Sequence, residues 1–307
     1  MSWSEARLHA WLSERPRPSG LAGSRGHDAA VLEELPGRPV WCTDQVHVGR
    51  HLERDDPPLA LGRKAVGRTL SDLAACGATP VGVLLALALP RGWTDGMAIE
   101  ALSGAEARAA EAGAALLGGD LSGTDGPASA CVSALGWIPA ELRPPGRDRA
   151  RPGDVILLTG PVGGSRLGRH REPAARLVAG RQLLAAGVAA MMDVSDGLAL
   201  DASRLAQRSG VAIELDATRI PIHPDAERAA NSGQRSPLEH ALGDGEDHEL
   251  LACLPAERAT ALLETGLVDC PEARVIGQVL QGEGLSLRGA HGEALELPPV
   301  QGWLHGG

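Results

Sequence analysis

The stretch Ala189-Ala-Met-Met-Asp-Val-Ser-Asp-Gly-Leu-Ala-Leu-Asp-Ala-Ser-Arg-Leu-Ala-Gln207 decides how the chain is read. Its first six residues, through Val194, are an apolar run of strand length. Leu198 to Gln207 then follows a helical period, with a stop at Gly210. At the junction, Asp193, Ser195, Asp196 and Gly197 set two carboxylates beside small residues, where a ligand can approach without steric cover. Hard oxygen donors in that setting suit Mg²⁺, which takes a few carboxylates and leaves its other positions to water and phosphate.

The same pattern recurs on both sides of this stretch. Upstream are Gly26-His-Asp-Ala-Ala30, Cys42-Thr-Asp44, Leu70-Ser-Asp-Leu-Ala74 and Leu117-Gly-Gly-Asp120, and downstream is Gly245-Glu-Asp247. Any one such aspartate reads equally as a turn residue or a helix cap. Six in one context, spread over both halves, point to a shared task. Their mutual repulsion calls for cations.

Strand and helix signals alternate along the whole chain. Strands are expected at 28–32, 39–43, 81–89, 114–117, 130–138, 155–158, 189–194, 211–215, 249–253 and 274–279. Helices are expected from a Ser2/Glu5 capping box to Ser13, from Pro57-Pro58 to Gly77, and over 98–112, 174–186, 198–207 and 255–264. Between Pro139 and Gly153 the sequence turns to proline, glycine and arginine, and apolar periodicity vanishes. The expected organisation is therefore an N-terminal domain (1–138), a linker (139–153) and a C-terminal domain (154–307). The fold class is α/β (α+β), with mixed sheets flanked by helices in both domains.

Composition bounds the function. The 307 residues contain no Phe and no Tyr, six Trp, and one lysine, Lys64, among 29 basic residues. A GC-rich genome accounts for that bias. Without Phe or Tyr an aromatic RNA platform is disfavoured, and a net charge of −10 argues against a nucleic-acid backbone as partner. The five cysteines form no Cys-x-x-Cys pair, which suggests a reducing, cytoplasmic setting. The longest apolar stretch, Val81 to Leu89, is too short to span a bilayer, so no membrane partner is expected. No Gly-x-x-x-x-Gly-Lys-Ser/Thr loop and no protein-kinase signature occurs. Gly160-Pro-Val-Gly-Gly-Ser165 follows a strand and reads either as a phosphate cradle or as a plain turn.

Taken in order, Gly-His-Asp-Ala-Ala, Thr43-Asp44, Gly49-Arg-His51, Lys64 to Gly77, Gly118-Gly-Asp120, Met192 to Leu198 and Gly245-Glu-Asp-His-Glu-Leu250 resemble the thiamine-monophosphate kinase family. That family belongs to the ATP-binding superfamily that includes aminoimidazole ribonucleotide synthetase. The resemblance runs from about residue 20 to the C-terminus and implies a two-domain fold of that kind. It also implies Mg-dependent transfer of the ATP γ-phosphoryl to thiamine monophosphate, giving thiamine diphosphate and ADP, and a homodimer joined through the N-terminal domain. By resemblance, Asp28, Thr43, Asp44, Asp72, Asp120, Asp193 and Asp196 hold several Mg²⁺ ions. Gly119, Asp120, Arg147 and Ser195 contact ATP, and His51, Glu246 and Trp303 contact thiamine monophosphate. No separate acid or base is implied, since a phosphate monoester is already anionic near neutrality, its second pKa being roughly 6. The chain departs from the family pattern at His27, Cys42, Leu52, Asp244 and His248. Alternatives are another ATP-dependent reaction of the superfamily, or a non-catalytic nucleotide- or thiamine-binding protein.

Overall fold

A computed structural model describes residues 2–23, 28–297 and 302. His27 and Trp303 lie outside the described residues. The chain divides into two compact units, one of residues 1–73, 79–139 and 171–173, the other of 74–78, 140–170 and 174–307.

The first unit is built on a four-stranded sheet in the order β1-β4-β2-β3, with β1 Arg38–His47, β2 Thr79–Pro90, β3 Ala115–Thr124 and β4 Ser129–Ile138. β4 pairs antiparallel with β1 and β2, and β3 pairs parallel with β2. Its helices are α1 Glu5–Ser13, α2 Pro58–Ala75 (whose last two residues fall in the second unit) and α3 Asp95–Glu111. α2 is apolar or small around most of its circumference. Its partly exposed positions Arg68 and Asp72 make one stripe, Arg63 lies on the α3 side where it pairs with Glu111, and Leu61, Lys64, Ala65, Val66, Leu70 and Leu73 are buried. The two sheet faces differ. Along β1, Cys42 and Val46 turn inward, whereas Trp41, Thr43 and Gln45 are exposed in company with Ala86 and Cys131.

The second unit has a seven-stranded sheet in the order β11-β10-β7-β9-β5-β8-β6. The strands are β5 Asp154–Leu158, β6 Ala190–Asp193, β7 Ala212–Asp216, β8 Leu250–Pro255, β9 Arg274–Leu280, β10 Gly284–Arg288 and β11 Ala294–Leu295. β7 and β10 are parallel, the other neighbours antiparallel. Both sheets are thus mixed, as expected. The helices are α4 Leu177–Ala185, α5 Leu198–Ser209, α6 Pro224–Ser232, α7 Pro237–Gly243 and α8 Ala256–Thr265. With no Phe or Tyr to fill it, the core is aliphatic: Ile156, Leu158, Met192, Leu205, Leu251 and Ile276 pack together at or near zero exposure. α5 ends at Gly210 in the left-handed conformation, φ 64°, as the sequence signals.

Several expectations are corrected. Residues 28–32 do not form a strand. Asp28 and Ala29 bend, and among the described residues this stretch makes one isolated bridge, Leu32 to Leu21. The Ser2/Glu5 capping box is absent. Ser4 is the N-cap of α1, without a side-chain cap, and its amide donates to Asp95 at 2.7 Å. β3 does not stop at Leu117. Parallel pairing with β2 carries it through a bulge and on past Gly118-Gly119 to Thr124.

Candidate functional site

The first unit carries Asp28, Thr43, Asp44, His51, Asp72, Gly119 and Asp120. Asp44 is not at a strand end but inside β1, on the helix-facing side. There its carboxylate meets Arg68 Nε of α2 at 2.5 Å. Asp72 lies one helical turn beyond Arg68 on the same half-exposed stripe, so both belong to the α2 surface that β1 faces. Thr43 alternates to the other face. Its hydroxyl donates to the Val132 carbonyl at 3.0 Å, on the face opposite the Asp44 side chain. Asp120 is mid-strand in β3, exposed, in one row with Ala86 and Cys131. Asp44 and Asp120 therefore stand on the two outer strands, with β4 and β2 between them, rather than side by side. Gly119 is required by close approach: a Cβ there would sit 1.8 Å from the Leu85 carbonyl oxygen. Asp28 is exposed in its bend.

His51 closes a tight turn after β1. Its amide donates to the His47 carbonyl at 2.9 Å, and its Nδ1 accepts the His47 amide at 3.0 Å. The two rings stack at 5.8 Å. Beside the turn lies a cavity of about 370 Å³ lined by Val48, Leu52, Arg54, Trp93, Met97 and Pro127 among others.

In the second unit, two of the sequence motifs lie side by side. Val194 N donates to Glu249 O at 2.8 Å, His248 N to Val194 O at 2.9 Å, and Glu246 N to Ser195 O at 2.7 Å. This seam sets Asp193, Ser195, Asp196 and Glu246 on neighbouring strands of backbone. Gly245 makes the approach possible. Its φ is 72°, and a Cβ would fall 2.7 Å from the Ser195 carbonyl. Glu246 and His248 themselves hold positive φ, 53° and 56°, a conformation non-glycine residues rarely adopt and which collects at functional sites.

Each carboxylate here has a cationic or polar partner. Asp193, 3% exposed, lies 3.2 Å from His248 Nδ1. Asp196 is gripped by Arg204, and Glu246 faces Arg166 at 3.8 Å. Gly302 comes up against the Asp196 carbonyl. Asp201, which sequence reasoning missed, organises the junction. Its Oδ2 accepts the amides of Ser195 at 3.0 Å and Asp196 at 2.9 Å, and its Oδ1 accepts from Arg204 at 3.0 Å. Burial, and then the charges of Asp196 and Asp193, push its carboxyl up to about 6. Its sequence signal was an acid in the first turn of a helix that follows a glycine.

Arg147 is not brought beside Ser195. It is exposed, and its carbonyl accepts from Ser209 Oγ at the far end of the 12-residue α5. That helix is roughly 18 Å long. The Gly160–Ser165 loop is a structural turn rather than a phosphate cradle. The Gly163 amide donates to Asp247 at 2.9 Å and the Gly164 amide to Asp244 at 2.8 Å, so carboxylates already occupy those donors. Asp247 is buried, and burial outweighs Arg169 at 2.5 Å, raising its carboxyl to about 7. Among the described residues no three His, Cys, Asp or Glu side chains are gathered closely enough to cage a metal ion. All five cysteines are free thiols. No helix among the described residues is long and apolar enough to cross a membrane.

Comparison with known proteins matches residues 26–138 to the AIR synthase related protein N-terminal domain and residues 151–290 to the corresponding C-terminal domain. The chain is 39% identical to thiamine-monophosphate kinase of Rhodopirellula baltica over 98% of this chain and 97% of the relative. It is 33% identical to that of Methanospirillum hungatei over 96% and 98%. Among solved structures, thiamine-monophosphate kinase from Stenotrophomonas maltophilia is similar at TM-score 0.78 and 30% identity, covering 96% of this chain and 99% of that one. AaThiL complexed with AMPPCP and TMP is similar at TM-score 0.76 and 29% identity, covering 98% and 95%. The chain belongs to the thiamine-monophosphate kinase family.

Proposed function

We propose that this chain is a Mg-dependent kinase that moves the γ-phosphoryl of ATP onto the phosphate of thiamine monophosphate, yielding thiamine diphosphate and ADP. The observation that carries the reading is the seam between residues 193–196 and 246–249, in a chain related to such kinases over nearly its whole length. The acceptor is a phosphate monoester, largely ionised near neutral pH, so no strong base is needed to make it a nucleophile. The barrier to overcome is repulsion between two anions, and positioning with charge neutralisation meets it.

The donors suit Mg²⁺. They are carboxylate oxygens, and Asp44, Asp193 and Asp196 each already face a cationic or protonatable side chain. Mg²⁺ in nucleotide sites binds through one or two carboxylates plus phosphate oxygens, so a protein cage of three is not required. Asp28, Asp44, Asp72, Asp120, Asp193 and Asp196, with Thr43, would hold the ions. When bound, these supply neutralisation of the phosphate charge. Gly119, Asp120, Arg147 and Ser195 are assigned to ATP. His51, Glu246 and Trp303 are assigned to thiamine monophosphate, the indole offering a face to a cationic ring. A homodimer is part of the proposal. It is supported by the exposed sheet face of Trp41 (66% exposed), Thr43, Gln45, Ala86 and Cys131. A cytoplasmic setting is supported by the free thiols.

The test is purified protein with Mg²⁺, ATP and thiamine monophosphate, with products separated by chromatography. Thiamine diphosphate and ADP are expected in equal amounts. Binding without turnover, or ATP use that leaves thiamine monophosphate unchanged, overturns the reading.

A further inference from the structure

Lys64 is the one lysine in a chain of 29 basic residues, and its side chain is wholly buried on α2. Burying an ammonium is costly unless acceptors take its protons. Lys64 Nζ donates to the backbone carbonyl of His51 at 2.7 Å. His51 is thereby held at three points: its carbonyl by Lys64, its amide by the His47 carbonyl and its ring Nδ1 by the His47 amide. The turn is pinned further by the Gly49 amide on the Leu52 carbonyl at 2.7 Å, with Leu52 buried beneath it.

This arrangement fixes chemistry as well as position. Nδ1 accepts a hydrogen bond, so the neutral ring carries its proton on Nε2. An Nε2–H is a donor, matched to an acceptor-only group such as a phosphate oxygen. A guanidinium is wider and planar, with its donors set in a fork, and does not reproduce the geometry of an ammonium on the His51 carbonyl.

We propose that Lys64 is a positioning residue that holds the His51 turn so that His51 presents Nε2–H to the phosphate of the acceptor substrate. This rests on the kinase reading and on His51's place in it. It accounts for a lysine at this position in a chain that otherwise uses arginine.

The test compares wild type, Lys64→Met, Lys64→Arg, His51→Ala and the double variant His51→Ala/Lys64→Met. Lys64→Met is expected to raise KM for thiamine monophosphate about tenfold, with KM for ATP unchanged. The double variant should be no worse than His51→Ala alone, because residues that act through one another are not additive. Lys64→Arg should behave like Lys64→Met. Equal damage to both KM values, or additive losses, assigns Lys64 to general stability and overturns the proposal. Should Lys64→Met fail to fold, Lys64→Gln is measured in its place. ¹⁵N NMR of histidine-labelled protein, with His51 assigned by loss in His51→Ala, is expected to show an Nε2–H ring in wild type and a mixed tautomer in Lys64→Gln. An Nδ1–H ring in wild type, or no change in Lys64→Gln, overturns it. Wild type unable to phosphorylate thiamine monophosphate removes the kinase reading instead, and the NMR result still decides whether Lys64 positions His51.

Discussion

Replacing Asp201 by asparagine keeps an oxygen for the amides of Ser195 and Asp196 while removing a charge from a site with no solvent exposure. Burial raises the Asp201 carboxyl from 3.8 to about 6. A carboxyl with a raised folded pKa binds its proton more tightly in the native state. Its contribution to stability is therefore fully present below about pH 4 and is lost as pH rises through about 6. A span of roughly two units at about 1.4 kcal/mol each amounts to about 3 kcal/mol. Asp201→Asn has no charge to bury and should recover that amount at pH 8. For a unit of this size the difference corresponds to roughly 6–12 °C in Tm. The assay is thermal denaturation of both proteins between pH 4.5 and 8 with divalent ions chelated. The variant should already lead by about 1 kcal/mol at pH 4.5 and gain on wild type steadily up to about pH 7. Asp201→Ala should instead fall below Asp201→Asn at every pH, since it strands two amides at about 1–3 kcal/mol each. A pH-independent difference, or an alanine variant as stable as the asparagine one, would refute the reasoning.

Other outcomes are expected together. Asp72→Asn should abolish thiamine diphosphate formation with an unchanged melting curve, and an active Asp72→Asn enzyme would sink the metal-ligand role. Gly245→Ala, which forces a Cβ to 2.7 Å from the Ser195 carbonyl at φ 72°, should lose about 1–3 kcal/mol in denaturant titration and most of its activity. Full retention of both would show that the seam gives way easily. Trp303→Ala should raise KM for thiamine monophosphate and spare KM for ATP, and an unchanged value for both removes the stacking role. Ser236→Ala should cost about 1 kcal/mol by opening the capping box of α7, and no loss in chemical denaturation would contradict it.

How far the sequence could be read depends on the kind of signal each segment carries. β6 and α5 were legible because an apolar run, a glycine and a helical period follow one another and are closed by Gly210. α6 and α7 were not expected, although Ser236-Pro-Leu-Glu239 is a capping box that the structure forms in full, with Pro237 in the first turn. β3 was cut short because glycines punctuate strands in sequence, whereas here Gly119 lets β3 lie close against Leu85. The failure at 28–32 has the opposite cause: Ala30-Val-Leu32 has strand composition, but among the described residues it finds one bridge partner. At the site, the aspartates were legible as types in context. Their partners were not, because Arg68 on Asp44, His248 on Asp193 and Asp201 beneath Ser195 are contacts of the folded chain.

The seam between residues 194–195 and 246–249 is made of peptide groups, and that separates placement from chemistry. Apart from Gly245, where the close approach leaves no room for a Cβ, the hydrogen bonds of the seam come from peptide groups and not from the side chains the two segments present. His248 and Asp244, where the family pattern has other residues, fit this division. The side chain of one rests on Asp193 and that of the other on Gly164, outside the peptide ladder. Position 246 is then an interchangeable fitting on a fixed mount. A change of side chain there would retune what the site accepts while Asp193, Ser195 and Asp196 keep their places.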